Sequence, residues 1–329
     1  MSKKKVGVVC GGYSSEYKIS LQSGKTVFSQ LDRNKWEVFL IILTQDSWTA
    51  KDDDEKSYIV SKGDFSLQSS ETSIKLDLIF NLVHGSIGEN GQLAALWELL
   101  DIPFSSCNSY IAALTLNKRD CLTILRELNI PTAKYYTLDK GNSIDTLAII
   151  DRVGLPCFVK ANRAGSSFGV FKVYDKKNLI PSIEKAFKED SQLIIESALE
   201  GREVSVGVAK FDDEIRVLPI TEIISENDFF DFAAKYEGES QEITPAQIPK
   251  NWQKDLKDFS KKIYLKLGLK GFIRSEFIFV NNTPHILEVN SVPGMTSKSI
   301  IPKQVEAMNL EIPEFLTKIL MQVDKEKNN

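Results

Sequence analysis

The stretch GFIRSEFIFVNNTPHILEVNSVPGMTSKS, residues 271–299, contains two β-type runs on either side of a turn. These runs carry four polar residues of interest, which are Arg274, Glu276, Glu288 and Asn290. Residues two apart on a strand share a face, so all four point the same way if position 276 pairs with position 288. That register requires an odd-length connection, such as a three- or five-residue loop around residues 281–283.

The chemistry of this face is that of a site for a hard metal ion. Two carboxylates and an amide supply the oxygen ligands that divalent cations such as Mg²⁺ prefer, and an arginine lies beside them. A solvated hairpin with cross-strand ion pairs would produce the same pattern. The hairpin alone leaves both interpretations open, and the rest of the chain distinguishes them.

The composition is typical of a soluble globular protein. The chain has 329 residues, which suggests two or three domains. Hydrophobic residues make up 42% and charged residues 26%, so the chain can bury a sizeable core. The net charge of −4 disfavours nucleic acid or an anionic membrane as a partner. No apolar run approaches the roughly 20 residues that a membrane-spanning helix needs.

The cysteines indicate a reducing compartment. None of the four cysteines has CxxC spacing, which predicts free thiols in the cytoplasm rather than disulfides or a zinc site. These cysteines are Cys10, Cys107, Cys121 and Cys157. The chain begins MSKKKVGVVCGG, whose apolar stretch is too short for a signal peptide and predicts a first strand instead.

The pattern of strands and helices predicts three domains. Their expected bounds are residues 1–106, 107–198 and 199–329. In the first domain, apolar runs alternate with helical patterns, which favours a parallel sheet with helices on its faces. Residues 45–75 within it are polar and favour irregular or hairpin structure. Residues 108–128 predict one helix, and residues 251–267 predict an amphipathic helix.

A glycine-rich loop, residues 165–169, lies between two predicted strands of the second domain. Its backbone N–H groups and the hydroxyls of Ser166 and Ser167 could close over a polyphosphate. A tight hairpin turn explains the same glycines. Lys160 ends the preceding strand and could reach a phosphate as a point charge, as could Lys118. Either lysine alone is more often a solvated surface residue.

Other polar residues follow predicted strands. Glu16 comes after a first parallel strand and could hold a substrate ammonium group, since ligands bind at the carboxyl ends of such strands. His84 lies at the end of the third strand, in the same kind of place. Glu196 and Glu203 bracket a turn and could accept hydrogen bonds from an amine or a sugar hydroxyl. Tyr236 lies in an aromatic loop that could cover a site as a lid or simply pack in a core.

Taken in order, these segments resemble the D-alanine–D-alanine ligases of the ATP-grasp superfamily over nearly the whole chain. The matching segments are GGYSSEYKISLQS (11–23), HGSIGENG (84–91), LNKRD (116–120), FVKANRAGSSFGV (158–170), LIIESALEGREVSV (193–206), FFDFAAKY (229–236), TPA (244–246) and RSEFIF…LEVNSVPGMTSKS (274–299). Each match is modest alone, and the ordered set is specific, above all LEVN-x-x-PGMT with an upstream Arg-x-acid.

The resemblance implies an α/β fold and a reaction. The expected fold is an ATP-grasp fold, with an N-terminal Rossmann-like parallel sheet domain followed by two α+β domains that sandwich ATP. The expected reaction converts ATP and two D-alanines to ADP, phosphate and D-alanyl-D-alanine through an acyl phosphate, for peptidoglycan synthesis. It also implies two Mg²⁺ or Mn²⁺ ions, a homodimer and a cytoplasmic location.

The resemblance also implies a role for each candidate residue. Nucleotide contacts are expected from Lys118, Lys160, Ser166, Ser167, Glu196, Leu199, Glu203 and Lys235. Metal ligands are expected to be Glu276, Glu288 and Asn290. Substrate contacts are expected from Glu16, His84 and Ser299. A lid-closing set of Glu16, Ser166 and Tyr236 is expected to complete the active site, and Arg274 with the Gly294 N–H is expected to form the oxyanion hole.

The chain departs from the family pattern at several positions. The expected acid after Arg274 is aspartate, and this chain has Glu276, which is one methylene longer and still an oxygen ligand. Tyr17, Asn90 and Ala161 also replace the usual residues. Two alternatives therefore accompany the dipeptide ligase: a ligase that joins D-alanine to D-lactate, and a nucleotide-binding protein without catalysis. Tyr236 favours the dipeptide, and the retained lysines and acids favour catalysis.

Overall fold

Three β-sheets and the helices packed on them make up the fold, which is described by a computed structural model. The structure describes residues 3–165, 168–225 and 240–327.

The first sheet is parallel at one side and antiparallel at the other. Its strands are β1 (Lys4–Gly11), β2 (Trp36–Leu43), β3 (Trp48–Lys51), β4 (Ser57–Val60), β5 (Leu67–Gln68), β6 (Ser73–Ile74) and β7 (Leu78–Asn81), in the order β6-β5-β4-β3-β2-β1-β7. Strand β1 pairs in parallel with both β2 and β7. The predicted parallel sheet is therefore confirmed for β2, β1 and β7, and residues 45–75 form the hairpin-like extension.

Helices cover this first sheet and lead away from it. They are α1 (Tyr17–Gln30), α2 (Ser86–Glu89), α3 (Gln92–Leu99), α4 (Ser109–Leu116) and α5 (Lys118–Glu127). The prediction of one helix over residues 108–128 is wrong. Asn117 has an extended backbone, and its side chain accepts a hydrogen bond from the Asp120 N–H, so it ends α4 and caps α5.

The second sheet has four strands in the order β10-β9-β11-β8. Its elements are β8 (Tyr135–Asp139), α6 (Thr146–Val153), β9 (Cys157–Ala161), β10 (Val170–Val173), α7 (Leu179–Ala186) and β11 (Gln192–Ser197). One face carries apolar side chains such as Val159 and Ile195, which pack on α6 and α7. The alternate residues, including Phe158 and Lys160, point to the other face.

The third sheet holds the hairpin. Its elements are β12 (Arg202–Phe211), β13 (Glu214–Val217), β14 (Thr221–Ser225), β15 (Ser240–Ile243), α8 (Lys250–Lys266), β16 (Phe272–Val280), β17 (Thr283–Asn290), α9 (Ile300–Glu306) and α10 (Ile312–Lys327). The order is β15-β14-β12-β16-β17, and β13 also pairs with β12. Strands β14 and β15 and helix α9 had no predicted counterpart.

Shared cores join these units. Side chains of α4 and α5, such as Ile111 and Leu125, pack beneath the third sheet with Val206 and Phe277. Helix α10 packs against strands of the first sheet in a second core. The division into domains at residues 106 and 198 stays a prediction, and the core contacts cross both of these bounds.

Two further sequence expectations concern cysteines and membranes. All four cysteines are free and buried, as predicted. Among the described residues, no helix has both the length and the apolar character to cross a membrane.

Candidate active site

The hairpin has the predicted register, reached by a different route. Glu276 pairs with Glu288, and Arg274 pairs with Asn290. The connection is not an odd-length loop, because Val280 pairs with Thr283 across a two-residue turn. A β-bulge after Glu276 then shifts the register by one residue. The four polar side chains therefore share one face, although the predicted loop length is wrong.

The turn and the bulge each have a local cause. Asn281 and Asn282 both have positive φ, at 48° and 65°, which suits the twist of a two-residue hairpin turn. Leu287 is the residue that the bulge leaves unpaired, since Glu276 pairs with Glu288 and Phe277 with Ile286. In a regular ladder Leu287 would pair with Glu276, and Glu288 would then point to the opposite face from Glu276.

Glu276 is buried beside a cation. Only 6% of it is exposed, and its Oε1 accepts a hydrogen bond from Arg274 Nε at 2.5 Å and one from Ser205 Oγ at 3.3 Å. Its Oε2 is buried and has no hydrogen-bond partner among the described residues. The hairpin thus contains an ion pair, between Arg274 and Glu276, as the second interpretation of the sequence allowed. This pair is buried in the protein and not solvated. One carboxylate oxygen remains available to a ligand.

Lysines face this hairpin from the second sheet and α5. Lys160 Nζ lies 2.9 Å from Glu196 Oε2, and Lys118 Nζ lies 3.5 Å from Glu288 Oε2. Burial alone would lower the pKa of Lys160, but the carboxylates of Glu196, Glu288 and Glu203 outweigh it and raise that pKa. Lys160 is therefore a permanent cation in a cleft whose walls are the second and third sheets.

Glu203 borders the same cleft, since its carboxylate acts on the pKa of Lys160. Glu203 lies on β12 opposite Ile278 of β16, on the face that carries Glu276. Leu199 is half-buried in the segment between β11 and β12. Lys118, Lys160, Glu196 and Glu203 therefore come together. The role of Leu199 stays a prediction, and Ser166, Ser167, Lys235 and Tyr236 lie outside the described residues.

Glu16 lies where the glycine-rich loop meets the first sheet. Its carboxylate is so close that a Cβ on Gly165 would lie 2.7 Å from Oε2, and a Cβ on Gly85 would lie 2.6 Å from it. A side chain at either glycine would collide with the carboxylate. The loop also approaches Lys118, whose Nζ donates to the Ala164 carbonyl at 2.6 Å. The structure thus brings Glu16 to the mouth of the same cleft.

His84 is buried and held at both ring nitrogens. Its Nδ1 lies 2.8 Å from the Val292 carbonyl, and its Nε2 lies 3.1 Å from Ser23 Oγ. Burial lowers the pKa of His84, and the nearby Glu16 carboxylate opposes that shift. A substrate contact by either nitrogen would have to replace one of these bonds, so the expected carboxylate contact stays a prediction.

The segment after the hairpin carries the remaining predicted residues. Asn290 Oδ1 accepts a hydrogen bond from the Val292 N–H at 3.0 Å. Ser299 Oγ bonds Thr296 and lies close enough to Gly294 that a Cβ there would be 2.9 Å away. Arg274, Asn290, Gly294 and Ser299 therefore border one end of the cleft.

Glu89 is an acid that the sequence motifs did not single out. It lies inside the HGSIGENG segment and accepts a hydrogen bond from the Gly85 N–H at 3.1 Å. Burial raises the pKa of Glu89 to about 8, and the Glu16 and Glu288 carboxylates add to the shift. The HGSIGENG motif shows in the sequence that Glu89 lies in a matching segment. The burial of its carboxylate and the acids near it depend on the fold.

Glu89 predicts a pH dependence of folding stability. Because its pKa is higher in the folded chain than the ordinary 4.5, the folded state binds more protons between those values. Its contribution therefore lowers stability as pH rises from about 5 to 8, by at most about 1.4 kcal/mol per pH unit. Glu89→Gln keeps an acceptor for Gly85 and should remove that loss.

Urea unfolding of the metal-free protein at pH 5, 6, 7 and 8 measures this effect. The stability of Glu89→Gln relative to the original chain should rise with pH. Asp64→Asn serves as a control, because hydrogen bonds hold the pKa of this exposed acid below 3.8. Asp64 is therefore ionised in the folded and the unfolded state throughout this pH range, and the stability difference of Asp64→Asn should stay constant. A constant difference for Glu89→Gln would show that Glu89 ionises normally in the fold.

The site lies between the second and third sheets, with Lys160 on one, the paired acids on the other and Lys118 on α5. This arrangement defines the class of ATP-grasp ligases. The family models for the D-ala D-ala ligase N-terminus and C-terminus match residues 5–107 and 124–321. A D-alanine–D-alanine ligase of Flavobacterium johnsoniae is 48% identical over 95% of this chain and 97% of its own length. The chain belongs to the D-alanine–D-alanine ligase family.

Solved structures of similar proteins agree with this assignment. A D-Ala:D-Ser ligase from Enterococcus faecalis has a TM-score of 0.86 at 30% identity, and covers 98% of this chain and 100% of its own. A D-alanine–D-alanine ligase from Bacillus anthracis, complexed with ATP, has a TM-score of 0.81 at 28% identity, and covers 100% and 99%. The predicted ATP-grasp fold is confirmed.

Proposed function

We propose that this protein joins two molecules of D-alanine to form D-alanyl-D-alanine, a precursor of peptidoglycan, at the expense of ATP. The observation that carries the proposal is the Glu276–Glu288 pair beside Arg274, which faces Lys160 and Lys118 across the cleft. The 48% identity to a named D-alanine–D-alanine ligase over nearly the full chain supports the choice of substrate.

We propose that Glu276, Glu288 and Asn290 hold two Mg²⁺ or Mn²⁺ ions. The fit is supported by the buried Glu276 Oε2, which has no hydrogen-bond partner among the described residues. No cluster of three or more His, Cys, Asp or Glu side chains suited to a metal occurs in the described part of the chain. Two acids and an amide suit Mg²⁺, which binds few protein ligands together with substrate phosphates. Such ions neutralise charge on a transferring phosphoryl group.

In the proposed nucleotide site, Lys118 and Lys160 contact the phosphates of ATP. Lys160 remains charged because acids surround it, so it can stabilise phosphate oxygens without a proton transfer. Glu196 and Leu199 line the adenine pocket, and Glu203 holds the ribose. Ser166, Ser167 and Lys235 complete the set by resemblance, since they lie outside the described residues.

The first proposed step activates a carboxylate. Glu16 holds the ammonium group of the first D-alanine, with His84 near its carboxylate. A carboxylate oxygen attacks the γ-phosphorus of ATP, the bond from that phosphorus to the β,γ-bridging oxygen breaks, and ADP leaves. Closure of the lid with Ser166 and Tyr236 would exclude water, which would otherwise hydrolyse the acyl phosphate.

The second proposed step forms the peptide bond. Ser299 holds the carboxylate of the second D-alanine, whose deprotonated amine attacks the acyl carbon. Arg274 and the Gly294 N–H stabilise the oxyanion of the tetrahedral intermediate. The bond from carbon to the phosphate oxygen then breaks, and inorganic phosphate leaves. We further propose that the chain acts as a homodimer in the cytoplasm, where its buried thiols stay reduced.

Release of phosphate from ATP should require both D-alanine and a divalent cation, and D-alanyl-D-alanine should be the product. The measurement is phosphate release with product identification by mass spectrometry. D-Lactate, D-serine and L-alanine are tested beside D-alanine as second substrates. Turnover that is equal with L-alanine, or absent with D-alanine at saturating ATP and Mg²⁺, would reject the proposal, and preferred incorporation of D-lactate or D-serine would reassign the nucleophile.

A further inference from the structure

One face of α1 carries a polar stripe that runs into the core. Glu16, Ser20 and Ser23 are spaced so that they lie on the same face of the helix, and both serines are fully buried. Ser20 bonds the ends of two strands, since its Oγ donates to the Leu82 carbonyl at 2.6 Å and accepts from the Gly11 N–H at 2.8 Å. Ser23 instead bonds residues outside the first sheet, and the proposed mechanism gives it no role.

The hydrogen bonds of Ser23 have a determined direction. The Val292 carbonyl can only accept, so His84 Nδ1 carries a proton and donates to it. In the neutral ring, His84 Nε2 is then an acceptor, and the Ser23 hydroxyl must donate to it. Ser23 Oγ in turn accepts from the Met295 N–H at 3.2 Å. Every donor and acceptor in this chain of bonds is satisfied.

Both ends of the chain of bonds reach the backbone on either side of Gly294. His84 holds the carbonyl two residues before it, and Ser23 holds the N–H of the residue directly after it. Val292 is also held through its N–H by Asn290 Oδ1. The peptide that presents the Gly294 N–H is therefore fixed by side chains from the first sheet and α1 as well as by the hairpin.

We infer that Ser23, acting through His84 and the Met295 N–H, is a positioning residue for the Gly294 N–H in the oxyanion hole. The inference rests on the proposed function. Helix α1 has Glu16 just before its first residue, so the same rigid element would place the first D-alanine and the donor that stabilises the second step. Ser23 touches neither substrate, and its loss should slow peptide-bond formation more than phosphoryl transfer.

Ser23→Ala should lower the rate of dipeptide formation about 10- to 100-fold, because a displaced oxyanion donor loses most of its effect. The KM for ATP should not change. Scrambling of ¹⁸O between the β,γ-bridge and the β-nonbridging positions of ATP, measured with D-alanine present, reports reversible acyl phosphate formation. That exchange should persist in Ser23→Ala, so the ratio of exchange to dipeptide formation should rise.

Matched variants separate positioning from stability. Ser20→Ala removes a fully buried serine one turn away that has no bond to residues 292–295, and it should keep the original ratio. Ser23→Cys keeps an acceptor and a weak donor, should recover part of the dipeptide rate, and serves if Ser23→Ala fails to fold.

The outcomes distinguish this inference from the proposed function. If the original chain makes no dipeptide, the proposed function fails. If the original chain is active and Ser23→Ala keeps its dipeptide rate, or loses exchange and dipeptide formation equally, the positioning role of Ser23 is wrong. The same conclusion follows if Ser20→Ala raises the ratio as much as Ser23→Ala does.

Discussion

Arg274→Met is expected to lower kcat about 10²- to 10³-fold, which is the typical effect of removing one donor from an oxyanion hole. The guanidinium is 15% exposed and is oriented by its bond to Glu276. Lysine at this position would keep the charge but lose the fixed planar fork, so Arg274→Lys should recover only part of the rate. Steady-state phosphate release with saturating D-alanine and ATP measures both variants.

The same substitution should also destabilise the fold. Removing the cation leaves the Glu276 carboxylate buried without its partner, which costs about 3–5 kcal/mol in comparable buried pairs. The double variant Arg274→Met with Glu276→Gln has no unpaired buried charge, so it should recover part of the lost stability and stay inactive. Urea unfolding measured beside kcat therefore separates the catalytic loss from the structural one.

Arg202→Met provides a matched control on the same sheet. Arg202 pairs with the buried Glu222 at 2.6 Å, and it points to the opposite face of β12 from Glu203. It should lose stability while folded molecules keep their kcat. If Arg274→Met turned over at the original rate, Arg274 would be a structural partner of Glu276 and not an oxyanion donor.

Glu276→Gln is expected to raise the Mg²⁺ concentration needed for half-maximal activity and to slow phosphoryl transfer, both on the order of tenfold or more, because Mg²⁺ demands tight oxygen geometry. Glu276→Asp should retain much of the activity. The structure predicts that Glu276→Gln loses about 1–3 kcal/mol, since the new amide would leave a buried N–H₂ group unpaired where Oε2 now lies.

The measurement is kcat against Mg²⁺ concentration, together with the thermal shift that Mg²⁺ and ADP produce. Glu326→Gln is the control, because Glu326 pairs with Lys210 at 2.6 Å at the far end of β12. It should leave the metal dependence unchanged. A metal dependence in Glu276→Gln equal to that of the original chain would remove Glu276 from the proposed metal site.

Much of the site was predictable because strand periodicity is local. The alternation of side chains along a strand is enough to place Arg274 with Glu276 and Glu288 with Asn290. The pairing of Glu276 with Glu288 was also predicted, but the turn and the bulge that produce this register were not. The bulge at Leu287 and the two-residue turn together give the register that the sequence suggested would need a longer loop.

Helix boundaries show the opposite case. Residues 108–128 have continuous helical character, and the sequence contains no strong breaker such as proline or glycine there. The Asn117 side chain nevertheless caps α5, so α4 and α5 pack separately beneath the third sheet. The local pattern permits either one continuous helix or two helices that are separated at Asn117. Tertiary packing determines that two helices form.

The family, the fold class and the residue types of the site follow from the amino-acid sequence, because ordered motifs and period-two alternation are properties of the chain. The contacts of those residues depend on how the chain packs in three dimensions. Gly165 packs against Glu16, Ser23 bonds His84, and Glu89 is buried near the Glu16 and Glu288 carboxylates. The partners in each of these contacts are more than 60 residues apart in the sequence. Burial and the distances between charges set the hydrogen bonds and pKa values, and both arise only when distant segments pack together.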